Sequence, residues 1–358
     1  MGGGGAERQL TYLANEFVQC GWDVHVALLQ GGPNLPRLTA SGAVVHHVPA
    51  LTNYDPRIPF RLIKIIRAVK PDVVQCWLLQ MEVFGGLAAL MTRTPWVFSE
   101  RASEEAYPRT LKTWLRTKIA WWATAIVSNS RAGDQYWESR TRKSARRYIV
   151  PNALPLGEIA NAPKARIDET TEGGPLLLSA GRFEHQKNFE AFLRAIHLVS
   201  LERPVRAFCC GEGSLRITLE RLMGELGLTA NVRLAGYTQD LWGLMKRADL
   251  LVSTSLFEGS PNVVLEGMAC GCPLVVSDIP THREILNEAI TAFVDPKSPR
   301  QIADTIVSVL NDRDGAARRA ELARQLVQRY SASAIASQYA QVYREISARD
   351  DNAVTTAD

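Results

Sequence analysis

Two glutamates separated by seven residues, Glu258 and Glu266, flank the start of a helix in 255-SLFEGSPNVVLEG-267. Ser260 suits the N-cap and Pro261 the first helical position. The apolar run 248-ADLLVST-254 precedes them and 272-CPLVVS-277 follows, so the order is strand, loop, helix, strand. In an open α/β sheet the loop at the carboxyl end of such a strand is where ligands bind. The helix N-terminus adds free N–H groups and partial positive charge suited to a phosphate. Either carboxylate, if buried, needs a partner. Further upstream, 180-AGRFEHQKNFE-190 places Arg182 and Lys187 after one strand and before a helix. Arginine can hold a diphosphate with two parallel bonds, lysine as a point charge. The chemistry these residues suit is the binding of an anionic ligand such as a phosphate.

The pattern resembles the donor-sugar site of the retaining family 4 glycosyltransferases, whose element is E-x7-E followed by small residues and a strand. Here it stands as Glu258-GSPNVVL-Glu266 and then GMACGCPLVVSD. The family's G-R-x4-K-N element stands as Gly181-Arg182 through Lys187-Asn188. The resemblance implies the α/β GT-B fold: two Rossmann-like, doubly wound parallel-sheet domains facing a cleft, with a C-terminal helix crossing back to the first. It also implies that Arg182 and Lys187 grip the diphosphate. Glu258 would contact the sugar and Glu266 the ribose hydroxyls. Gly181, Gly259, Ser260, Asn262 and Val263 would complete the donor site; Pro261 has no N–H to give. Gly4 and Gly5, in 1-MGGGGAER-8, resemble the family's glycine loop near the donor phosphates. Many relatives carry a histidine after the strand written here as 95-PWVFS-99. This chain has Ser99-Glu100-Arg101, which makes Glu100 and Arg101 candidates for acceptor or sugar contacts.

No D-x-D stands at a strand end. Asp312-Arg313-Asp314 falls between two predicted helices and reads as a turn. The expectation is metal-independent transfer with no cofactor beyond the nucleotide-sugar. By resemblance it retains configuration through front-side attack and needs no carboxylate nucleophile. Gly211-Glu212-Gly213 imitates half of a dinucleotide fingerprint, but Arg216 stands where the third glycine belongs.

The elements that must position these residues alternate along the chain. Strands are expected at 22–29, 43–48, 72–77, 95–99 and 124–130, with helices at 57–70, 81–92, 107–122 and 131–139. A second series of strands runs 176–182, 205–211, 231–236, 248–254, 272–277 and 290–295. Repeated βα units imply parallel sheets with right-handed crossovers. The expected division is a first, acceptor-binding domain at 1–156, a linker at 157–175 and a nucleotide-sugar domain at 176–330. A crossover helix at 331–348 and a disordered tail at 349–358 follow. In the family a central strand precedes the glycine loop, whereas only Met1 precedes it here. The expectation is that upstream codons encode that strand.

A chain of 358 residues suggests two cores. No run of 18 apolar residues marks a membrane span, and no signal-peptide pattern opens the chain. The six cysteines contain no C-x-x-C and read as reduced core residues of a cytosolic protein; the six histidines lack metal-ligand spacing. Residues 1–160 carry nineteen Lys and Arg against twelve Asp and Glu, a surplus of +7; the remainder carries −3. A basic first half implies an anionic partner, and no nucleic-acid motif accompanies it. On the helix at 107–122, Arg109, Lys112 and Arg116 share one arc. Leu111, Trp114, Leu115, Trp121 and Trp122 share the other, with Lys118 among them. Either the helix packs on its sheet, or it faces an anionic membrane.

The reading is therefore a cytoplasmic, monomeric glycosyltransferase of the hexosyltransferase class, peripheral on the inner face of the plasma membrane. It takes a UDP-sugar donor and a lipid-linked saccharide or cell-surface polysaccharide precursor as acceptor. The alternatives are transfer to a soluble small molecule, or a catalytically silent sugar-nucleotide-binding or scaffold protein.

Overall fold

The computed structural model describes residues 4–53, 55–101, 110–142, 145–166 and 174–347. The predicted tail at 349–358, the first residues of the predicted helix at 107–122 and part of the predicted linker lie outside the described residues. The chain divides into two compact units, residues 1–154 with 330–358, and residues 155–329.

In the first unit α1 (Gly5–Gln19) leads to β1 (His25–Leu28), α2 (Leu35–Ala40) and β2 (Val44–His47). Then come α3 (Ile58–Val69), β3 (Val74–Cys76), α4 (Leu79–Thr92), β4 (Trp96–Glu100), α5 (Leu111–Ala120), β5 (Ala125–Ser128), α6 (Arg131–Glu138) and β6 (Arg146–Ile149). All pairings are parallel, but the strands form two sheets, β1–β2 and β3–β4–β5–β6. No described strand pairs with both β1 and β3. Helices bind the two sheets together instead. Trp22, Val24 and Val73 pack on one apolar cluster with Phe17 of α1. Ala27, Leu29 and Val74 pack on another with Ile58, Leu62 and Ile66 of α3. Gln9 of α1 clamps the end of the last crossover, its amide bonding both N and O of the buried Ala153 at 2.6 and 2.9 Å.

The second unit starts with α7 (Leu156–Asn161), inside the segment read as a linker. That reading is corrected here: α7 packs against the helix that carries Glu266, and Lys246 bonds the carbonyls of Ala160 and Ala162. Six residues are too few to show a helical period. There follow β7 (Leu176–Ala180), α8 (Phe189–Glu202), β8 (Arg206–Cys210), α9 (Arg216–Glu225), β9 (Val232–Gly236), α10 (Leu241–Arg247), β10 (Leu250–Ser253) and α11 (Asn262–Cys270). The unit closes with β11 (Leu274–Ser277), α12 (Pro280–Ile285), β12 (Ala292–Val294), α13 (Pro299–Asn311) and α14 (Arg313–Leu326). One parallel sheet has the order β12-β11-β10-β7-β8-β9, the doubly wound arrangement whose winding reverses between β7 and β10. Its central strands β7, β10 and β11 are buried along almost their whole length, as in a parallel sheet covered by helices on both faces. Asp312 caps α14, accepting from the Gly315 N–H at 3.0 Å, which gives the D-x-D run a structural role.

The final helix, α15 (Ala332–Ser347), belongs to the first unit and packs against α1. Tyr148 of β6 donates to Glu345 at 2.7 Å.

Candidate active site

The reversal of winding sets the loops after β7 and β10 side by side, which brings Arg182, Lys187 and Glu258 into one neighbourhood. Lys187 closes a 3-10 turn, His185–Lys187, ahead of α8. Its Nζ lies 2.5 Å from Glu258 Oε1, and the two side chains are only 17 % and 5 % exposed. Ser255 donates to the same oxygen at 2.7 Å. Gln186 joins the pair to Arg182: its amide nitrogen bonds Phe257 O at 2.9 Å and Glu258 Oε2 at 3.3 Å, while its carbonyl accepts from Arg182 at 3.4 Å. Thr281 supports the loop from α12, donating to Glu258 O at 2.9 Å. One positive and one negative charge thus sit mostly out of water, paired with each other and with Ser255 and Gln186 also bonded to the carboxylate, the condition under which a buried pair is tolerated. Arg182 remains exposed, free to meet a ligand charge.

The backbone around these cations is shaped by glycine. Gly181 has φ +151°, and its N–H bonds Cys210 O at 2.9 Å. Gly211 has the same φ, and a Cβ there would lie 1.8 Å from Gly181 O. Glu184 completes the join, accepting from the backbone and hydroxyl of Ser214 at 2.9 Å each. The Gly-Glu-Gly run after β8 therefore lets two loops touch, which explains it without a dinucleotide.

Helix α11 begins one residue later than expected. Pro261 occupies the cap and Asn262 opens the helix. The Asn262 N–H turns back to Ser260 O at 3.0 Å, so it is already engaged and is no ready phosphate donor. Gly259, Ser260 and Val263 stand at the entrance to the helix, and Glu266 is buried one turn further in. Gly267 lets α11 lie against β10, since a Cβ there would come within 2.4 Å of Leu251 Cδ2.

Sequence reasoning passed over Gln186, Ser255, Thr281 and His282. His282 is fully buried on α12 and donates through Nδ1 to Ser277 O at 2.7 Å. Its Nε2 has no hydrogen-bond partner among the described residues. Burial holds its pKa below the ordinary value, although Ser277 O and the charge of Glu258 pull the other way. The imidazole is therefore neutral beside the charged pair. Only Gln186 had a sequence signal, its place inside the R-x4-K interval.

The candidates of the first unit are placed differently. Gly4 precedes α1 and Gly5 opens it. Glu100 is a correction: it is fully buried at the end of β4 and cannot touch an acceptor. Its Oε2 accepts from Arg116 and from the Trp137 indole, each at 2.9 Å. Arg116 also bonds Glu82 at 2.5 Å. Arg101 is partly exposed, stacked 3.9 Å over Trp77, and bonds Asn152 and Tyr339 at 3.1 and 2.5 Å. It braces α15 against β4.

Fold and site define a doubly wound, two-unit glycosyltransferase of the GT-B class. A family model described as glycosyltransferase family 4 matches residues 3–158, and one described as glycosyl transferases group 1 matches residues 162–326. The chain belongs to this family 4-like group and is a glycosyltransferase. It is 25 % identical over 343 residues to the lipopolysaccharide core biosynthesis glycosyltransferase LpsE of Rhizobium meliloti, covering 95 % of each chain. Over 130 residues, 36 % of this chain and 34 % of the relative, it is 29 % identical to a Campylobacter jejuni enzyme. That enzyme is named as the N-acetylgalactosamine-N,N'-diacetylbacillosaminyl-diphospho-undecaprenol 4-alpha-N-acetylgalactosaminyltransferase. The crystal structure of Anabaena HepE in complex with UDP-glucose superposes with a TM-score of 0.82 over 96 % of both chains, at 20 % identity.

Proposed function

We propose that the protein moves a sugar from a UDP-sugar to a lipid-linked saccharide or cell-surface polysaccharide precursor, with retention of configuration and without a metal ion. The observation that carries this reading is the Lys187–Glu258 pair, linked through Gln186 to the exposed Arg182 beside the α11 N-terminus. HepE, with the same fold, is known with UDP-glucose. LpsE acts in lipopolysaccharide core biosynthesis, and the Campylobacter relative is named for a diphospho-undecaprenol acceptor. These support the donor and acceptor classes.

In this mechanism Arg182 and Lys187 meet the charge that develops on the diphosphate as the sugar C1–O bond breaks. The acceptor oxygen bonds C1 on the face the diphosphate leaves, and its proton passes to the departing phosphate oxygen. Glu258 holds Lys187 in place and accepts from a sugar hydroxyl, while Glu266 receives the ribose. The test is a panel of nucleotide-sugars assayed in chelator, with the anomeric configuration of the product read by NMR. The expected result is UDP release and an axial-for-axial product. An inverted product, or an absolute requirement for added divalent ion, overturns it.

A further inference from the structure

Helix α5 is inverted relative to an ordinary surface helix. Its Arg116 is 1 % exposed, whereas Leu111 is 71 % exposed and Trp114 and Trp122 are 54 % exposed; Leu115 and Trp121 also face water. The cause lies in its neighbours. Glu82 and Glu100 are buried beneath it and draw the guanidinium inward against the rings of Phe98 and Trp137. The shared-arc reading of Arg109, Lys112 and Arg116 is corrected accordingly: Arg116 is a core residue, and Arg109 lies outside the described residues. Five large apolar side chains are left in water on one short segment, residues 111–122, that contains no acidic residue. Its rim is cationic. Lys118 Nζ sits 5.7 Å over the Trp114 ring, and the Arg142 guanidinium 5.5 Å over Trp122.

A second feature adjoins it. Arg67, Lys70, Arg93 and Arg344, with Asp72 the one acid, line a cavity of about 750 Å³ at the amino ends of β3 and β4. A neighbouring cavity of about 350 Å³ shares Arg93, Thr94 and Pro95 with it and reaches Trp122. A basic hollow thus runs into the tryptophan face. Neither feature touches the donor-site residues, and the sugar chemistry uses neither.

We propose that the first unit docks on an anionic phospholipid surface, with the tryptophans of α5 at headgroup level and lipid phosphates in the basic hollow. Tryptophan suits that boundary because its ring is apolar and its N–H is polar. Cations near such a surface strengthen binding about fivefold each, by an attraction that salt weakens. A second copy of the chain fits less well. A two-fold contact of this face would set Lys118 and Arg142 against their own copies with no acid on the segment to offset them.

The test is sedimentation of the full-length protein with phosphatidylglycerol–phosphatidylcholine vesicles and with phosphatidylcholine alone, at 50 and 500 mM salt. Binding to the anionic vesicles at low salt and release at high salt are expected. Trp114→Ser/Trp122→Ser should weaken binding by roughly tenfold or more through lost apolar contact. Lys70→Asn/Arg93→Asn should weaken it by about 25-fold. Asparagine is chosen because both positions are left-handed, with φ +53° and +58°. All four substituted residues are exposed side chains outside the core, and circular dichroism melts verify that each variant is folded. Failure of the wild type to sediment, or folded variants that bind like wild type, overturns the proposal. So does a dimer in ultracentrifugation that the tryptophan variant dissociates. None of these readouts involves sugar transfer, so the donor-site reading stands or falls separately.

Discussion

The two units use the same strand–helix repeat and reach different results. In the second, β7 bonds β8 on one side and β10 on the other, so six strands make one sheet with a single reversal of winding. In the first, β1–β2 and β3–β6 lack a described strand that bonds both, and helices α1, α3 and α15 carry the continuity through shared apolar clusters. The charged residues differ in the same sense. At the reversal in the second unit, the ion pair borders an exposed arginine. In the first, Glu82, Arg116 and Glu100 are sealed in the core. A carboxylate at a strand's carboxyl end is therefore not in itself a site residue; it becomes one where neighbouring loops leave an opening.

Removing one charge from each cluster sharpens the contrast. Arg116→Ala strands two buried carboxylates and should cost about 3–5 kcal/mol of stability, measured by urea unfolding. A loss within 1 kcal/mol, on the order of an exposed pair, would show that the cluster is not sealed. In the second unit, Glu258→Gln should lower turnover about 100-fold and also lower the melting temperature, though by less than Arg116→Ala, because Lys187 keeps some access to water. A variant as active as wild type would remove Glu258 from the machinery.

The smallest expected effect is a difference of sign with pH. Burial raises the Glu82 pKa to about 7, against the opposing pull of Arg116 and Arg101; Glu100 adds to the rise. A carboxyl raised above its unfolded value binds its proton more tightly when folded. The first unit therefore loses stability as pH climbs from about 4.5 to about 7. His282 is held below its ordinary value, mainly by burial. Its neutral folded form loses ground to the protonated unfolded form as pH falls below 6.5, so the second unit weakens on acidification. Hydrogen exchange of β4 and β11 peptides, corrected for the intrinsic pH dependence of exchange, should show more protection of β4 at pH 5 and of β11 at pH 8. Parallel behaviour of the two would break the comparison.

The repeating α/β architecture is legible in the chain alone, because apolar runs of strand length alternate with helical periods and both signals are local. Also legible there are the residues of the second unit proposed as the donor site. Arg182, Lys187 and Glu258 lie in short segments whose strand–loop–helix form is readable. What the chain alone left open were the short helices α2, α7 and α12, which are six residues each and too brief to show a period. Which side of α5 faces inward is set by long-range packing. Polarity along the segment points the tryptophans to the core. The choice was made instead by two carboxylates 34 and 16 residues away, whose burial demanded a cation. The same kind of distance hid Thr281, which bonds Glu258 O from the next crossover, and its neighbour His282, and consigned Glu100 to packing. Local pattern names the groups able to do chemistry; long-range burial settles which of them water and substrate can reach.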